Sequence, residues 1–185
     1  MEPLTHKGTQ PLETERLILR RFTVDDAEAM FRNWASDPKV TEFLTWQTHE
    51  SVDFTRELLA GWARDYENEN YYHWCIVLKE TGEPVGASMV VGINEKLLSA
   101  ELGYCLGSAF WGRGIMPEAI RAILKFLFNE VGFYRISAKH DIGNPKSGRV
   151  MEKCGMQYEG ILRGVYYYKE QFVDCKQYAI LKHEI

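Results

Sequence analysis

A short glycine-containing segment of this 185-residue chain carries the residue types of an anion-binding site. The segment is Phe110–Ala119, with the sequence FWGRGIMPEA, and an apolar pattern typical of a helix follows it. Glycines let a backbone approach a ligand closely, and the N–H groups of a first helical turn have no acceptor within the helix. With the helix dipole and the charge of Arg113, these N–H groups favour a phosphate or pyrophosphate. The same pattern is compatible with a tight strand-to-helix turn that binds no ligand.

The spacing of these glycines argues against a dinucleotide enzyme. Gly112-x-Gly114-x-x-Pro117 has a proline where the dinucleotide fingerprint has its third glycine, which lets helix and strand pack closely. The fingerprint also opens a βαβ unit, whereas this segment follows three strands of a predicted meander. The sequence has no Walker P-loop and no lysine in its place, which disfavours a nucleotide-binding switch protein.

The elements around this segment predict an α/β (α+β) domain with a mostly antiparallel central sheet. Alternating apolar residues predict a first strand at Arg16–Arg20. Helices are expected from Thr23, ending before Asp37-Pro38, and over Val52–Tyr66. The later elements are strands at Tyr72–Leu78, Val85–Ile93 and Ala100–Leu106, a long helix from Pro117 to Val131, a strand at Ile136–His140, a helix at Asn144–Cys154, and a hairpin of Ile161–Tyr168 with Phe172–Leu181.

Composition and charge exclude several classes of protein. Apolar residues make up 45% and charged residues 26%, with a net charge of −4 and no basic cluster beyond Arg20-Arg21, so we expect a globular protein without a nucleic-acid partner. No apolar run could span a membrane, and the four cysteines lack metal-ligand spacing. His73 and His140 are expected to be structural. We predict a reduced, cytoplasmic protein without metal, with a flexible segment over residues 1–11 and one domain over residues 12–185.

Several ordered motifs resemble the GNAT acyltransferase superfamily, whose members transfer acetyl groups from acetyl-CoA to amines. The family signature is Gln/Arg-x-x-Gly-x-Ala/Gly, and its ribosomal-protein N-terminal acetyltransferase branch has a Trp-Gly-x-Gly version, to which Trp111–Met116 is similar. Trp111 and Met116 depart from the general signature, as that branch allows. Segments similar to the branch also occur, in order, at Thr14–Arg20, Ser36–Val40, Ala100–Tyr104 and Asn144–Met156. The resemblance covers roughly Leu12 to Leu181 and implies a single GNAT-type domain, with its sheet splayed between the fourth and fifth strands.

The resemblance implies a site for acetyl-CoA as cosubstrate. The pantetheine arm would lie between the splayed strands, along the backbone of Tyr104, Cys105 and Leu106. Asn144 would hydrogen-bond this arm, although an Asn before a helix-starting proline is also an ordinary N-cap. Backbone N–H groups of the glycine segment would hold the pyrophosphate, with proline lending shape and no donor; the segment comprises Gly112, Arg113, Gly114, Ile115, Met116 and Pro117.

Glu101 and Ser147 are the candidate catalytic residues. On the predicted strand, Glu101 and Gly103 face the side opposite to Leu102 and Tyr104. In the family the corresponding acid often reaches the acceptor amine, directly or through water, so Glu101 would be the general base; a solvated strand glutamate is the alternative. By resemblance, Ser147 would protonate the departing CoA thiolate, and the alternative is a local hydrogen bond at the helix start.

The acceptor amine is what the sequence leaves most open. Acyl transfer needs a neutral nitrogen, and at pH 7 about 14% of an α-amine but only about 0.04% of a lysine amine is neutral. A protein or peptide N-terminal α-amine, such as that of a ribosomal protein, therefore suits a site with one modest base. A polyamine, an amino acid and an antibiotic amine are alternative acceptors, and a non-catalytic acyl-CoA-binding module is an alternative reading of the chain.

Aromatic residues are candidates for an acceptor groove, although aromatics at helical spacing more often form core. Tyr166 lies where related enzymes place an acceptor-site acid, so a second carboxylate is not expected there. No cysteine has surroundings that suggest an acyl-enzyme, so transfer is predicted to be direct. We expect a monomer or a homodimer. The candidate acceptor-binding residues are Trp34, Phe43, Trp46 and Tyr166.

Overall fold

Eight strands form one mixed sheet in the computed structural model, which describes residues 2–185. The sheet order is β1-β2-β3-β4-β5-β6-β8-β7, and only β5 and β6 are parallel neighbours. The predicted α/β fold with a mostly antiparallel sheet is therefore confirmed. Because a two-residue strand precedes the predicted first one, the predicted fourth and fifth strands are β5 and β6. The strands are β1 (Leu12–Glu13), β2 (Leu17–Arg20), β3 (His73–Leu78), β4 (Pro84–Asn94), β5 (Ser99–Leu106), β6 (Arg135–Asp141), β7 (Gln157–Tyr168) and β8 (Gln171–Leu181).

Helices cover both faces of this sheet. They are α1 (Ala27–Met30), α2 (Pro38–Thr41), α3 (Val52–Asp65), α4 (Ile115–Phe126) and α5 (Pro145–Lys153). The first helical segment ends before Asp37-Pro38 as predicted, but the same pair also begins α2, which the sequence did not predict. The Asp37 carboxylate accepts the Lys39 N–H at 2.9 Å, and Pro38 stands where no N–H is needed. Among residues 2–185, no helix is both long and apolar enough to cross a membrane.

The two faces of the sheet carry separate hydrophobic cores. Along β3, Trp74 and Ile76 pack on the side of α4 and α5, whereas Cys75 and Val77 pack on the side of α1 and α3. All six residues of β3 are therefore buried, which explains why the run Trp74–Leu78 is continuously apolar rather than alternating. Trp34 is fully buried in the second core.

Part of the segment expected to be flexible lies against the domain. Thr9 is buried; its hydroxyl donates to the Tyr71 carbonyl at 3.0 Å and accepts the His73 N–H at 2.8 Å. The Trp74 indole N–H donates to the Gln10 carbonyl at 2.8 Å. Met1 lies outside the described residues. The mobility of residues 1–11 stays a prediction.

The contact between α5 and β6 requires a glycine at position 148. A Cβ at Gly148 would lie 2.7 Å from Nε2 of the buried His140 ring. This close approach fixes the first turn of α5, with Asn144 and Ser147, at the carboxyl end of β6.

Gly148→Ala should therefore lower the free energy of unfolding by about 1–3 kcal/mol, because overpacking displaces either the ring or the helix. Gly61→Ala is the matched control, since Gly61 is also helical and a Cβ there meets only Arg64 Nη2, at 3.9 Å. In the control, the higher helix propensity of alanine should raise the free energy of unfolding by about 0.5–1 kcal/mol. Chemical denaturation of both variants measures the difference, and equal effects would contradict the packing argument.

Candidate functional site

β5 and β6 pair only over the first half of β5. Their parallel ladder runs from Ser99 opposite Arg135 to Leu102 opposite Ala138, while β5 continues to pair with β4 as far as Leu106. Beyond Leu102 the edge of β5 makes no ladder hydrogen bonds to β6, and the two strands part. The predicted splay lies at this point. Unpaired backbone groups along such a gap can bind an extended ligand in the manner of an added strand.

A cavity of about 950 Å³ opens where the strands part. The segment between α2 and α3 covers it, and every residue from Phe43 to Glu50 contributes to the lining. Polar side chains in the lining include Glu101, Lys139, Asn144, Ser147 and Tyr166. Aromatic side chains in the lining include Trp34, Phe43, Trp46, Phe54 and Trp62. The cavity therefore has a cluster of polar side chains at the parted strands and an aromatic surface facing the same space.

Glu101 is held in an ion pair with Lys139. The Lys139 Nζ lies 2.6 Å from Glu101 Oε1 and 2.7 Å from Oε2, and both side chains are largely buried. The same Nζ lies 5.0 Å from the centre of the Tyr166 ring. Burial disfavours the ammonium, but hydrogen bonds and charge from Glu101 outweigh it and raise the pKa of Lys139. Lys139 therefore stays charged across the neutral range.

Tyr104 reaches from β5 to the start of α5. Its hydroxyl lies 2.9 Å from both the carbonyl oxygen and the hydroxyl of Ser147. Burial raises the pKa of Tyr104 above its ordinary value, so the phenol keeps its proton at neutral pH. Asn144 caps α5, its side-chain oxygen accepting the Ser147 N–H at 3.4 Å. Tyr104, predicted to act through its backbone, thus also fixes the Ser147 hydroxyl with its side chain.

The glycine segment follows the free end of β5 and begins α4. Gly112 and Gly114 have φ values of 78° and 74°, in the left-handed region that favours glycine. A Cβ at Gly112 would meet nothing within 4 Å, so the backbone there is open to a ligand. The Trp111 indole N–H donates to the Leu106 carbonyl at 2.7 Å, which ties the segment to the end of β5. The first N–H groups of α4 therefore lie at the end of the parted strand.

Glu118 in the first turn of α4 fixes this helix start to the sheet. Its carboxylate accepts the Thr14 hydroxyl at 2.5 Å, the Arg16 N–H at 3.0 Å and the Arg16 Nε at 2.7 Å. Arg16 Nη1 also donates to the Arg113 carbonyl at 3.0 Å. Burial alone would raise the pKa of Glu118, but these hydrogen bonds lower it below its ordinary value. The glycine segment is thus positioned before any ligand arrives.

The structure brings most of the predicted site residues together. Leu106 and the range 112–117 lie at and beyond the end of β5, outside the cavity lining. Trp34 reaches the cavity from within the core rather than from an exposed groove. Predicted residues that line the cavity are Glu101, Tyr104, Cys105, Asn144, Ser147, Trp34, Phe43, Trp46 and Tyr166.

Lys139 is a site residue that the sequence did not reveal. Alternation along β6 indicates that Lys139 shares a face with Arg135 and Ser137. Its pairing with Glu101 depends on the register that sets Glu101 opposite Ser137. This register joins strands that are far apart in the sequence and leaves no local signal.

Two of the histidines that line the cavity, His73 and His140, are held in packing contacts. Burial lowers the pKa of His73 to about 3, and its ring lies 4.2 Å from that of Trp62. His140 Nδ1 donates to the Asp141 carbonyl at 2.7 Å, and burial also lowers the pKa of His140. Their structural role stays a prediction. Across residues 2–185, no cluster of three or more His, Cys, Asp and Glu side chains could hold a metal ion.

Comparison with known proteins gives one consistent family. A family model described as an acetyltransferase (GNAT) domain matches residues 16–157. The uncharacterised N-acetyltransferase p20 of Bacillus licheniformis is 31% identical over 176 residues, which is 95% of this chain and 98% of the relative. The ribosomal-protein-serine acetyltransferase of Escherichia coli is 26% identical over 137 residues, 74% of this chain and 75% of the relative. The crystal structure of a GNAT-family acetyltransferase from Bacillus anthracis, 27% identical, covers 95% of this chain and 100% of its own at a TM-score of 0.82.

Gly114→Val tests whether the glycine segment binds the CoA pyrophosphate. The substitution should weaken CoA binding by about tenfold or more, because a valine side chain blocks the close approach of the backbone to the pyrophosphate. Each charge-assisted hydrogen bond lost in this way is worth about 1.5–3 kcal/mol. Gly82→Val is the matched control, since Gly82 also has a positive φ, of 70°, and lies in the turn between β3 and β4. Titration calorimetry with CoA measures both. Unchanged affinity in a folded Gly114→Val protein would remove the pyrophosphate assignment.

Proposed function

We propose that this chain, which belongs to the GNAT family and is an acetyl-CoA-dependent N-acetyltransferase, acetylates the N-terminal α-amine of a protein or peptide, such as a ribosomal protein. The observation that carries the proposal is the position of Glu101. Its carboxylate lines the cavity at the point where β5 and β6 part, together with Ser147 and the aromatic side chains. An amine that enters from the aromatic side therefore meets a carboxylate next to the parted strands.

The residues present fit acetyl-CoA in two places. The free edge of β5 beyond Leu102 suits the amide groups of a pantetheine arm, and Cys105 and Asn144 line the cavity beside it. The open glycine segment and the first turn of α4 suit a pyrophosphate. Acetyl-CoA supplies the acetyl group as a thioester: the amine nitrogen bonds to the acetyl carbon, the C–S bond breaks, and the thiolate takes up a proton.

Two groups of the chain are assigned to the protons of this reaction. Glu101 accepts a proton from the acceptor amine, directly or through water, since carboxylates have lone pairs beyond those used by one lysine. Ser147 donates toward the leaving thiolate, and its contact with the buried Tyr104 hydroxyl holds the serine side chain in place. These roles make Glu101 the base and Ser147 the acid.

The N-terminal acceptor rests on how readily the amine loses its proton. With its carboxylate already paired to Lys139, Glu101 suits an amine that is partly neutral at pH 7, as an α-amine is. The Escherichia coli relative is named for ribosomal-protein serine acetylation, which supports a protein acceptor.

A small amine is the second candidate acceptor. The segment from Phe43 to Glu50 covers the cavity, so a compact amine with an apolar body fits as well as a chain terminus. Polyamines, amino acids and antibiotic amines are the classes to compare.

Two peptides that differ only in their amines test the acceptor: one has a free N-terminus and no lysine, and the other has a blocked N-terminus and one lysine. The first should be acetylated on the order of 100-fold faster at pH 7, because about 14% of an α-amine but only about 0.04% of a lysine amine is neutral. Mass spectrometry of both products locates the acetyl group. Modification mainly on lysine, or turnover of small amines alone, would defeat the N-terminal assignment and leave the acetyltransferase intact.

Glu101→Gln should lower turnover by about 100-fold or more with little loss of CoA binding, because a general base contributes about 10²–10⁴-fold. The limb on which the rate rises with pH should also move to lower pH, since the carboxylate that favours the charged amine is gone. Glu159→Gln is the matched control, because Glu159 pairs with Arg135 on the same sheet at 2.5 Å. A parental rate and pH profile in Glu101→Gln would leave Glu101 as a strand residue only.

A further inference from the structure

Lys139 occupies the first position of β6 beyond its ladder with β5. The last pair of that ladder is Leu102 with Ala138, so Lys139 stands where the strands begin to part. Its ammonium binds both oxygens of Glu101, and the side chain is only 12% exposed. The Tyr166 ring lies over the same ammonium. This position keeps a buried positive charge at the carboxylate to which the acceptor amine is assigned.

The carboxylate of Glu101 can hold Lys139 and an amine at the same time. An ionised carboxylate has about four lone-pair positions, of which Lys139 takes two. A nitrogen that hydrogen-bonds to the remaining positions lies about 4–6 Å from the lysine ammonium, the range over which like charges disfavour one another. Two ammonium groups at one carboxylate leave an excess positive charge, which is reduced when the acceptor amine loses its proton.

We propose that Lys139 is a positioning residue that fixes the Glu101 carboxylate and drives the acceptor amine toward its neutral, nucleophilic form. The proposal rests on the assignment of the acceptor amine to Glu101, but it holds for any primary amine bound there. Lys139 carries the charge for this task at neutral pH because Glu101 stabilises its ammonium. Glu101 alone would stabilise a charged amine, and Lys139 opposes that effect.

Other groups near the pair do not replace the charge of Lys139. A second cavity of about 500 Å³ is lined by Glu101, Lys139, Arg135 and Glu159, and there Arg135 is neutralised by Glu159 at 2.5 Å. Burial raises the pKa of Tyr166 on β7 and of Cys175 on β8, so both stay neutral near pH 7. Further along β6, Asp141 lines the main cavity and accepts the Tyr168 hydroxyl at 2.5 Å. His140 and His49, which also line the cavity, have pKa values lowered by burial.

The test compares single-turnover acetylation across the neutral pH range in Lys139→Met, Lys139→Gln and Lys139→Arg, at saturating acetyl-CoA and amine. In Lys139→Met and Lys139→Gln the rising limb should move to higher pH by about one unit, because a positive charge that disfavours the ammonium is lost. Lys139→Gln keeps a hydrogen-bond donor for Glu101, so it reports on charge if Lys139→Met fails to fold. Lys139→Arg keeps the charge and should leave the limb in place.

Arg135→Met is the control. Arg135 is also a cation on the same strand and face as Lys139, but Glu159 already neutralises it. It should leave the pH profile unchanged. An unmoved limb in both neutral Lys139 variants, or a shift to lower pH, would overturn the proposal and leave Lys139 as a structural partner of Glu101.

The choice of acceptor separates this proposal from the proposed function. If the parent acetylates only small amines, the N-terminal assignment fails, and the same profiles are then measured with that amine. A shift that appears with either acceptor supports the role of Lys139. Suppose instead that acetylation of an amine depends on Glu101, as measured with Glu101→Gln, but the Lys139 variants leave the limb in place. That result refutes the role of Lys139 and leaves the proposed function standing.

Discussion

The end of the β5–β6 ladder at Leu102 and Ala138 is the constraint on which the rest of the site depends. Separating two central strands leaves backbone donors and acceptors without ladder partners, and buried groups of this kind need other partners. The chain supplies some of them with side chains. The Trp111 indole N–H, for example, donates to the Leu106 carbonyl at 2.7 Å. The groups along the gap that remain free are those that a bound ligand can satisfy.

Contacts on both sides of the gap hold its two strands in position. Tyr104 ties β5 to the first turn of α5, and Gly148 lets the same helix approach β6 at His140. The Glu101–Lys139 pair joins the strands just before they separate. The residues with assigned chemical roles therefore also make contacts at the edges of the gap. A substitution at Glu101 or Tyr104 alters geometry and proton transfer together, so a pH profile is more informative than a rate alone.

The sequence predicted the parts of the structure that depend on local signals. Gly112 and Gly114 take positive φ values next to a helix start, and Asn144 and Pro145 begin α5, as their residue types indicate. The alternation on β5 correctly places Glu101 opposite in face to the buried Leu102. Lys139 could not be predicted as the partner of Glu101, because their contact follows from the register of a parallel pair and from the point at which that pair ends. The short helix α2 was not predicted, because Asp37-Pro38 is typical both of the end of one helix and of the start of the next.

The cofactor side and the acceptor side of the site also differ in whether local or distant contacts define them. On the cofactor side, Trp111 bonds to a carbonyl five positions earlier and Gly114 is the N-cap of α4, so local contacts define the shape of the glycine segment. Arg16 then joins that segment to the sheet through Glu118. On the acceptor side, the covering segment is held by distant parts of the chain. The Lys169 ammonium donates to the Glu42 carbonyl at 2.5 Å, and the Phe43 ring lies against Gly143. Because these contacts involve the β7–β8 turn and the loop before α5, a change in either one alters the acceptor surface while the glycine segment stays in place. The shape of the glycine segment is therefore predictable from a motif, whereas the surface of the covering segment depends on contacts that no single segment encodes.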